Sequence, residues 1–199
     1  MDESDGTASY AVDVPEGGRT LLIGNVIEQG PNTNNSIVVA YAAESAKNGP
    51  LDLYAVNNTL VNNRPSGGQF FSLRSGTTAV IRNNIFYGPG TTWSGGSVTA
   101  SNNYIEPSYS NSPGFVSPST YDFHLSANSP RGAALIVDAG AAPGTSSVGN
   151  DLTPLFQYVY DAQSVVRTAV GTLDVRAFEF GNPGSDGRGP LPPANVKVQ

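Results

Sequence analysis

The sequence predicts an all-β fold in which short strands wind into about four coils of a parallel β-helix, followed by a tail that wraps around the coils. A turn-rich composition and one recurring short unit predict it. The 199 residues include 23 Gly and 15 Pro, and only 13% are charged, about half the usual quarter. Because 38% of the residues are apolar, the chain is too hydrophobic for disorder, and many short strands are the expected outcome.

The recurring unit is a β-rich run, then one or two asparagines, then two or three apolar residues and a polar turn. Its four copies place Asn25, Asn58, Asn84 and Asn103 at the equivalent position, at steps of 33, 26 and 19 residues. Each step is about one coil of a solenoid, lengthened by a loop of variable size. No such coil buries its apolar face alone, so stacking of the coils is expected.

Physical chemistry explains the recurring asparagine. A tight bend between two strands needs a residue that tolerates the left-handed backbone region, and Asn does so better than other non-glycine residues. Its amide can donate to one neighbouring coil and accept from the other, so Asn58, Asn84 and Asn103 are expected to form an internal ladder that Asn25 joins. The alternative is an antiparallel sandwich with Asn-Asn in hairpin turns. Apolar residues on both sides of each asparagine, in the same short register, favour the β-helix.

The closing part of the chain carries short motifs in a fixed order. They are Pro113-Gly114-Phe115-Val116, Tyr121-Asp122-Phe123-His124-Leu125, Ser129-Pro130, Val137-Asp138-Ala139-Gly140 and Leu173-Asp174-Val175-Arg176-Ala177-Phe178-Glu179-Phe180. Together with the repeat, this ending resembles the right-handed parallel β-helix superfamily typified by pectate lyases, and within it the bacterial repeat proteins. The chain departs from the family pattern at Arg176, where the pattern has Gly, and at residues 131–136, which lengthen one link.

The resemblance implies an organisation of the chain. Residues 1–110 form the coils, residues 111–180 form a wrapping and capping segment of the same domain, and residues 181–199 form a flexible Gly/Pro-rich end. The capping segment is expected to run back along the outside and to close the C-terminal end of the helix. Residues 9–14 already read as a strand of a coil with no cap before them, which predicts a fragment of a longer product with an open first coil.

Charge and composition exclude several classes of function. A net charge of −6 and a pI near 4.6 argue against nucleic-acid binding, which depends on Lys and Arg. No apolar run approaches the roughly 18 residues of a membrane span. Without Cys there are neither disulfides nor thiolate metal sites. No cofactor is expected. Asp2, Glu3 and Asp5 could bind Ca²⁺ loosely, but they lack the ligand spacing of a calcium loop, and a solvated terminus is the favoured interpretation. The chain shows no secretory signal, although full-length relatives are expected to be secreted or on the cell surface.

In polysaccharide-cleaving members of the family, a groove over the sheet of first strands holds the substrate. A lyase that acts on a uronate needs a base and a cation that neutralises the carboxylate. The resemblance implies Lys47 or Arg74 as the base and Arg64 as the neutralising partner. The alternative is that these side chains decorate solvated loops and strand ends.

The remaining groove residues are candidates for substrate binding, namely Asp13, Tyr41 and Glu44. Asp13 and Glu44 are also the one tempting carboxylate pair for a hydrolase. Trp93, Tyr104 and Tyr109 can stack on sugar rings, whereas His124 is expected at the surface.

The sequence therefore predicts the C-terminal β-helix portion of a protein related to polysaccharide-degrading enzymes, without complete catalytic activity of its own. The alternative is a non-catalytic carbohydrate-binding or surface and structural β-helix. A polysaccharide is the expected partner. A homodimer through the open first coil is also expected, with twofold symmetry because the tail would block a head-to-tail contact.

Overall fold

The computed structural model describes residues 9–129, 134–159 and 163–182. The acidic residues Asp2, Glu3 and Asp5, considered above for calcium, lie outside this part, as do residues 183–199. The strands of the first half are β1 (Val12–Val14), β2 (Thr20–Ile23), β3 (Val26–Gln29), β4 (Ile37–Tyr41), β5 (Asp52–Val56), β6 (Thr59–Asn62), β7 (Gln69–Leu73), β8 (Thr78–Arg82), β9 (Ile85–Tyr87), β10 (Thr91–Ser94), β11 (Ser97–Ser101) and β12 (Tyr104–Glu106).

These twelve strands form three parallel sheets of four strands each. Sheet A has the order β1-β4-β7-β10, sheet B the order β2-β5-β8-β11, and sheet C the order β3-β6-β9-β12. Each sheet takes every third strand, so β1–β3, β4–β6, β7–β9 and β10–β12 are four stacked layers. The prediction of an all-β chain with stacked parallel sheets is confirmed, and the arrangement is compatible with a parallel β-helix. Because every pairing among these strands is parallel, the antiparallel sandwich is excluded for this region.

The interior of the stack is filled by columns of apolar side chains from successive layers. One column of sheet C runs Ile27, Leu60, Phe86 and Ile105. The Phe86 ring lies edge-on to Phe70 and Phe71, with ring centroids 5.2 and 6.0 Å apart, a favoured geometry for aromatic pairs. Strand alternation sends about every second side chain into this core, although the consecutive residues Phe70 and Phe71 of β7 both belong to it.

The predicted asparagine ladder is present in all four layers, and these residues are hereafter called the inner row. Asn25 Nδ2 donates to Asn58 Oδ1 at 3.0 Å, Asn58 Nδ2 to Asn84 Oδ1 at 2.9 Å, and Asn84 Nδ2 to Asn103 Oδ1 at 3.0 Å. The backbone N–H of the same donors adds a second bond to each Oδ1, at 2.9 Å in each step. The ladder therefore satisfies buried amides by joining layer to layer.

The residue before each inner-row asparagine has a left-handed backbone, and these residues are hereafter called the outer row. They are Gly24, Asn57, Asn83 and Asn102, with φ values of 70°, 56°, 58° and 50°. Asn and Gly are the residues that tolerate this region most readily. The three asparagine side chains leave the stack and bond to the tail: Asn57 Nδ2 donates to Asp174 O at 2.7 Å, Asn83 Nδ2 to Ala141 O at 2.7 Å and Asn102 Nδ2 to Ala139 O at 3.1 Å.

The tail begins after β12 and lies along the outside of the stack. It contains the 3-10 turns Tyr109–Asn111 and Pro118–Thr120, the antiparallel pair β13 (Phe115–Ser117) and β14 (Asp122–Leu125), and the antiparallel hairpin β15 (Phe156–Val159) and β16 (Gln163–Val166). Phe115, Phe123 and Phe178 of the tail pack with outward-facing residues of sheet C. Leu152 packs on the outer face of sheet B. The tail thus covers two of the three outer faces.

The far end of the stack carries apolar residues that are not fully covered. Ile105, at an interior-facing position of the last layer, is 48% exposed, and Ala100 on β11 is exposed as well. In the described residues the interior of the last layer is thus partly exposed, and closure of this end by the tail stays a prediction. Among the described residues, no helix is long and apolar enough to cross a membrane.

Four buried charged residues hold the end of the tail together. Arg167 pairs with Glu179 and Arg176 with Asp174, each at 2.9 Å, and all four side chains are almost fully buried. Burial lowers the pKa of both guanidinium groups, and the paired carboxylates oppose this shift. Arg176, the departure from the family pattern, is thus an interior ion-pair partner, and its guanidinium also lies 5.9 Å from the centroid of the Phe180 ring.

Candidate functional site

The outer face of sheet A, where the sequence predicted a substrate groove, is polar but made of small side chains. Asp13, Ala40, Ser72 and Ser94 are register partners across the four layers. Their neighbours in the strands pack into the core, so by alternation these four residues face outward. Asp13 is the one ionisable group of this row, and no cation stands in it.

Tyr41, predicted to bind substrate, lies in the core instead. Its side chain has no exposed surface, and its hydroxyl donates to Gly18 O at 2.6 Å. Burial, with a smaller contribution from the charge of Asp52, raises the pKa of this hydroxyl. The run Ile37–Tyr41 is apolar throughout, so the sequence alone did not indicate which face Tyr41 occupies.

The predicted catalytic residues lie on loops beyond the ends of sheet A. Lys47 pairs with Glu16 at 3.0 Å, and both side chains are solvent-accessible. Arg74, directly after β7, donates through Nη1 to Ala42 O at 3.2 Å. The structure gives both cations protein partners, and their roles in catalysis stay predictions.

The other groove candidates do not join these cations. Arg64 precedes β7 and Arg74 follows it, so the two are separated by the whole strand, roughly 16 Å at the usual rise per residue. Glu44 is exposed, and its backbone N–H donates to Pro15 O at 3.0 Å. Among the described residues, no ion pair or hydrogen bond connects Arg64, Arg74 or Lys47 with Asp13 or Glu44.

A cleft lies on another side of the molecule, where the tail crosses the corner after sheet C. Its volume is about 500 Å³. The residues that line it are Glu28, Pro31, Asn63, Tyr109, Pro118, Ser119 and Tyr121. They come from the first layer, the loop after β6 and the two 3-10 turns of the tail, so the cleft exists only because the tail is docked.

The floor of the cleft carries a carboxylate and an amide. Glu28 faces outward from β3, in one column with Val61, Tyr87 and Glu106 of the following layers. Its side chain is 3% exposed, and Asn63 Nδ2 donates to Glu28 Oε1. Asn63 is itself positioned by its backbone N–H, which donates to Gln29 O at 2.9 Å.

Tyr109 forms one wall of the cleft. Its ring is 44% exposed and lies edge-on to Tyr87, with ring centroids 5.5 Å apart. Its hydroxyl donates to Asn62 O, which fixes the ring over the second layer. Burial, followed by the charges of Tyr87 and Glu28, raises the pKa of Tyr109 to about 12, so the hydroxyl stays a donor at neutral pH.

Tyr121, which also lines the cleft, has a left-handed backbone conformation. It ends the second 3-10 turn with φ 63°, and its N–H donates to Pro118 O at 3.1 Å. Its ring packs partly against the cluster between the tail and sheet C. Two aromatic rings, a carboxylate, an amide and the Ser119 hydroxyl therefore meet in one open cleft.

The cleft does not contain a carboxylate pair at the spacing of a glycosidase. Glu106, the other acid of the column, lies three strand spacings from Glu28, which is about 14 Å. Glycosidase carboxylates are roughly 5–9.5 Å apart. Among the described residues, no group of three or more His, Cys, Asp or Glu is placed to hold a metal ion. The arrangement is suited to hydrogen bonding and stacking.

His124 is held within the tail. Its Nδ1 lies 2.7 Å from Asp122 Oδ1, and its ring stacks at 3.9 Å on Phe178. Burial alone would raise the pKa of Asp122, but hydrogen bonds from the His124 ring and backbone outweigh it and lower that pKa. His124 thus connects β14 with the segment around Phe178 of the same tail. The His124 side chain is only partly accessible.

Sequence reasoning had named Tyr109 as a sugar-stacking candidate but missed Glu28, Asn63, Ser119 and Tyr121. A weak signal was present for Glu28, because the first and fourth copies of the repeat carry an acid, Glu28 and Glu106, where the middle copies carry Val61 and Tyr87. Nothing in the sequence indicated the cleft itself, because its lining residues are far apart along the chain. Asn63 follows Glu28 by 35 residues and Tyr121 follows it by 93.

Comparison of this chain with models of known families, with curated proteins and with solved structures finds no match. The stacked parallel sheets are compatible with a parallel β-helix, and the resemblance to the pectate-lyase-like superfamily rests on the sequence motifs alone.

Proposed function

We propose that this chain is a non-catalytic, saccharide-binding portion of a protein related to polysaccharide-degrading β-helix enzymes. The observation that carries the proposal is the cleft in which Tyr109 and Tyr121 stand beside the Glu28–Asn63 pair. The fold proposed with it is a right-handed parallel β-helix of about four coils. Right-handed connections are proposed because about 98% of crossovers between parallel strands have this hand.

The size and chemistry of the cleft support a saccharide ligand. Its volume of about 500 Å³ falls within the roughly 300–1,000 Å³ of small-molecule sites. The apolar face of a sugar ring can stack on the exposed ring of Tyr109. Sugar hydroxyls can donate to the Glu28 carboxylate and exchange hydrogen bonds with Asn63 and Ser119.

The surroundings of the predicted catalytic residues support binding without cleavage. Lys47 is paired with Glu16, and Arg74 is bonded to the Ala42 carbonyl, so each of these cations already has a protein partner. The wide separation of Glu28 and Glu106 leaves the cleft without the second carboxylate that glycoside hydrolysis needs.

The test is a binding measurement with purified chain on a panel of neutral and uronate polysaccharides, by affinity electrophoresis and calorimetry. Ser119→Arg fills the cleft from its rim with a long side chain, and we expect it to weaken binding by at least about tenfold, or ~1.4 kcal/mol. Ser75→Arg is the matched control, because Ser75 is an exposed serine of the turn between β7 and β8, and it should bind like the parent chain.

Two results would contradict the proposal. Binding that survives Ser119→Arg unchanged would place the ligand elsewhere. Release of unsaturated products from pectate or alginate that is lost in Arg74→Ala would establish the lyase alternative on sheet A.

A further inference from the structure

The stack has two ends, and each presents three unpaired strand edges. At one end the outermost strands are β1, β2 and β3, here called the first edge, and at the other they are β10, β11 and β12, the last edge. Unpaired N–H and C=O groups of such edges pair readily with another strand. The question is which partner each edge fits.

The inner row gives the stack a direction. In every step the asparagine of one layer donates through N and Nδ2 to the Oδ1 of the next layer. Among the described residues, Asn25 Oδ1 therefore accepts no hydrogen bond, and the backbone N–H of Asn103 donates none. The first edge ends in an amide acceptor, and the last edge ends in amide donors.

The apolar groups of the two edges also remain partly uncovered. At the last edge, Ile105 is 48% exposed. At the first edge, Val12, Val14 and Leu22 are only partly buried, although Ile27 is 2% exposed. The open part of the first edge is thus formed by β1 and β2.

The tail does not stand across the last edge in the described residues. After β12 the chain turns back along the stack, so that Tyr109 reaches Asn62 of the second layer. The expected twofold dimer was based on a tail that blocks a head-to-tail contact, and this path removes that reason.

We propose that the last edge of one chain docks on the first edge of a second copy, head to tail, and continues sheets A and B across the contact at β1 and β2, the open part of the first edge. The donors of Asn103 then meet the Asn25 Oδ1 of the second copy. A twofold contact between two first edges would instead oppose acceptor to acceptor. Because a head-to-tail contact uses two different surfaces, it leaves one of each free and can add further copies.

The test uses the lack of cysteine in this chain. Leu21 and Thr99 are both exposed and belong to one column of sheet B, which runs Leu21, Tyr54, Val80 and Thr99. In the proposed contact, Thr99 of one copy and Leu21 of the next are neighbours at about one strand spacing, ~4.8 Å. Leu21→Cys and Thr99→Cys chains, one of them carrying a size tag, are mixed and treated with a short bis-maleimide.

We expect the mixed pair to cross-link and each variant alone not to. Leu21→Cys that cross-links to itself would establish the twofold contact through first edges, and Thr99→Cys that cross-links to itself would establish one through last edges. Either result overturns the proposal, as does a mixture that stays monomeric at the highest soluble concentration.

A second substitution tests whether the cross-link depends on the proposed contact. Ala100→Lys, introduced into the Thr99→Cys chain, places a charge in the proposed contact and should abolish the cross-link, because Ala100 is exposed and belongs to the column of Leu22 in sheet B. Val116→Lys is the matched control, because Val116 is 40% exposed on β13 of the tail, away from both edges, and it should cross-link as before. Equal cross-linking in the two lysine variants would also overturn the proposal, and circular dichroism shows that both remain folded.

Discussion

The inner and outer asparagine rows are adjacent in the chain, yet they hold different parts of the molecule together. Asn84 of the inner row bonds only within the stack, to Asn103, Asn58 and Ala55. Asn83, one residue earlier, turns outward and makes reciprocal bonds with Ala141 of the tail. The inner amide thus joins layers only, whereas the outer amide binds the tail and adds one longer bond between layers, from Asn83 Nδ2 to Asn57 Oδ1 at 3.3 Å. The left-handed backbone of the outer residue separates the two directions.

The first layer shows what happens when the outer asparagine is missing. Gly24 takes its place at φ 70°, and a Cβ on Gly24 would come within 3.3 Å of Phe156 O and 3.4 Å of Pro154 Cβ. The tail therefore approaches the backbone itself at this layer. An asparagine at the outer position binds the tail through its side chain, whereas the glycine at this position lets the tail backbone approach closely.

The largest effect is expected where the outer row meets the buried charges of the tail. Asp174→Ala removes a carboxylate that accepts from Asp138 N at 2.8 Å, from Phe180 N at 2.7 Å and from Arg176 at 2.9 Å. Arg176 is left buried without its ion-pair partner, which costs about 3–5 kcal/mol. Hydrogen exchange should show lost protection in residues 134–182, with the strands of the stack still protected.

Asp151→Ala is the control for this change, because Asp151 is an exposed acid of the same tail. Equal loss of protection in the stack and in the tail after Asp174→Ala would show that the two regions unfold together. The tail would then not detach from the outer row independently of the stack.

A smaller effect is expected from the inner row. Asn84→Leu leaves the amide groups of Asn58 and Asn103 without their shared partner and should destabilise the chain by roughly 1–3 kcal/mol. The loss should appear in urea unfolding and in the exchange of β5, β6, β11 and β12. Asn32→Leu, at an exposed asparagine of a loop, should change stability little. Local loss confined to the tail would contradict the assignment of Asn84 to the stack.

The smallest effect is expected from a single outer asparagine. Asn83→Gly keeps a residue that adopts φ 58° readily. It removes two hydrogen bonds to Ala141, of 2.9 and 2.7 Å, and a longer one of 3.3 Å from Asn83 Nδ2 to Asn57 Oδ1, at a cost of about 1–2 kcal/mol. Faster exchange should be confined to residues 139–152. Asn83→Asp keeps the acceptor for Ala141 N but should not restore protection, because its second oxygen would face the Ala141 carbonyl to which Asn83 Nδ2 now donates. Faster exchange in β8 and β9 of similar size would show that the two rows are not independent.

Sequence reasoning succeeded where the determinant was local and repeated. The inner row was predicted because Asn58, Asn84 and Asn103 share one short context, and that context defines both a turn and a register. The outer row was not assigned a role, because the partners of Asn57 are Asp174 and Arg176, 117 and 119 residues away. No local pattern specifies a contact of that separation.

The candidate site was harder to predict for the same reason. The groove residues were chosen by analogy with a sheet face, but Tyr41 sits in an apolar strand with no alternation to mark its direction. Glu28 and Tyr109 meet only after the tail has folded back over sheet C. The path of the tail depends on packing of Phe115, Phe123 and Phe178, which composition does not reveal.

The inner row also makes the molecule vulnerable to chemical ageing. Hydrolysis of an asparagine amide to aspartate, one of the common thermal lesions of proteins, replaces an NH2 donor with an oxygen. At Asn84 that oxygen would face the Ala55 carbonyl and the Asn103 Oδ1, to which Nδ2 now donates at 2.8 and 3.0 Å. A single deamidation would turn two attractions into two repulsions and bury a charge between layers. The long-term stability of the stack therefore depends on slow deamidation of the four inner-row asparagines. Rigid turns slow this reaction by keeping each side-chain amide away from the backbone nitrogen that would attack it.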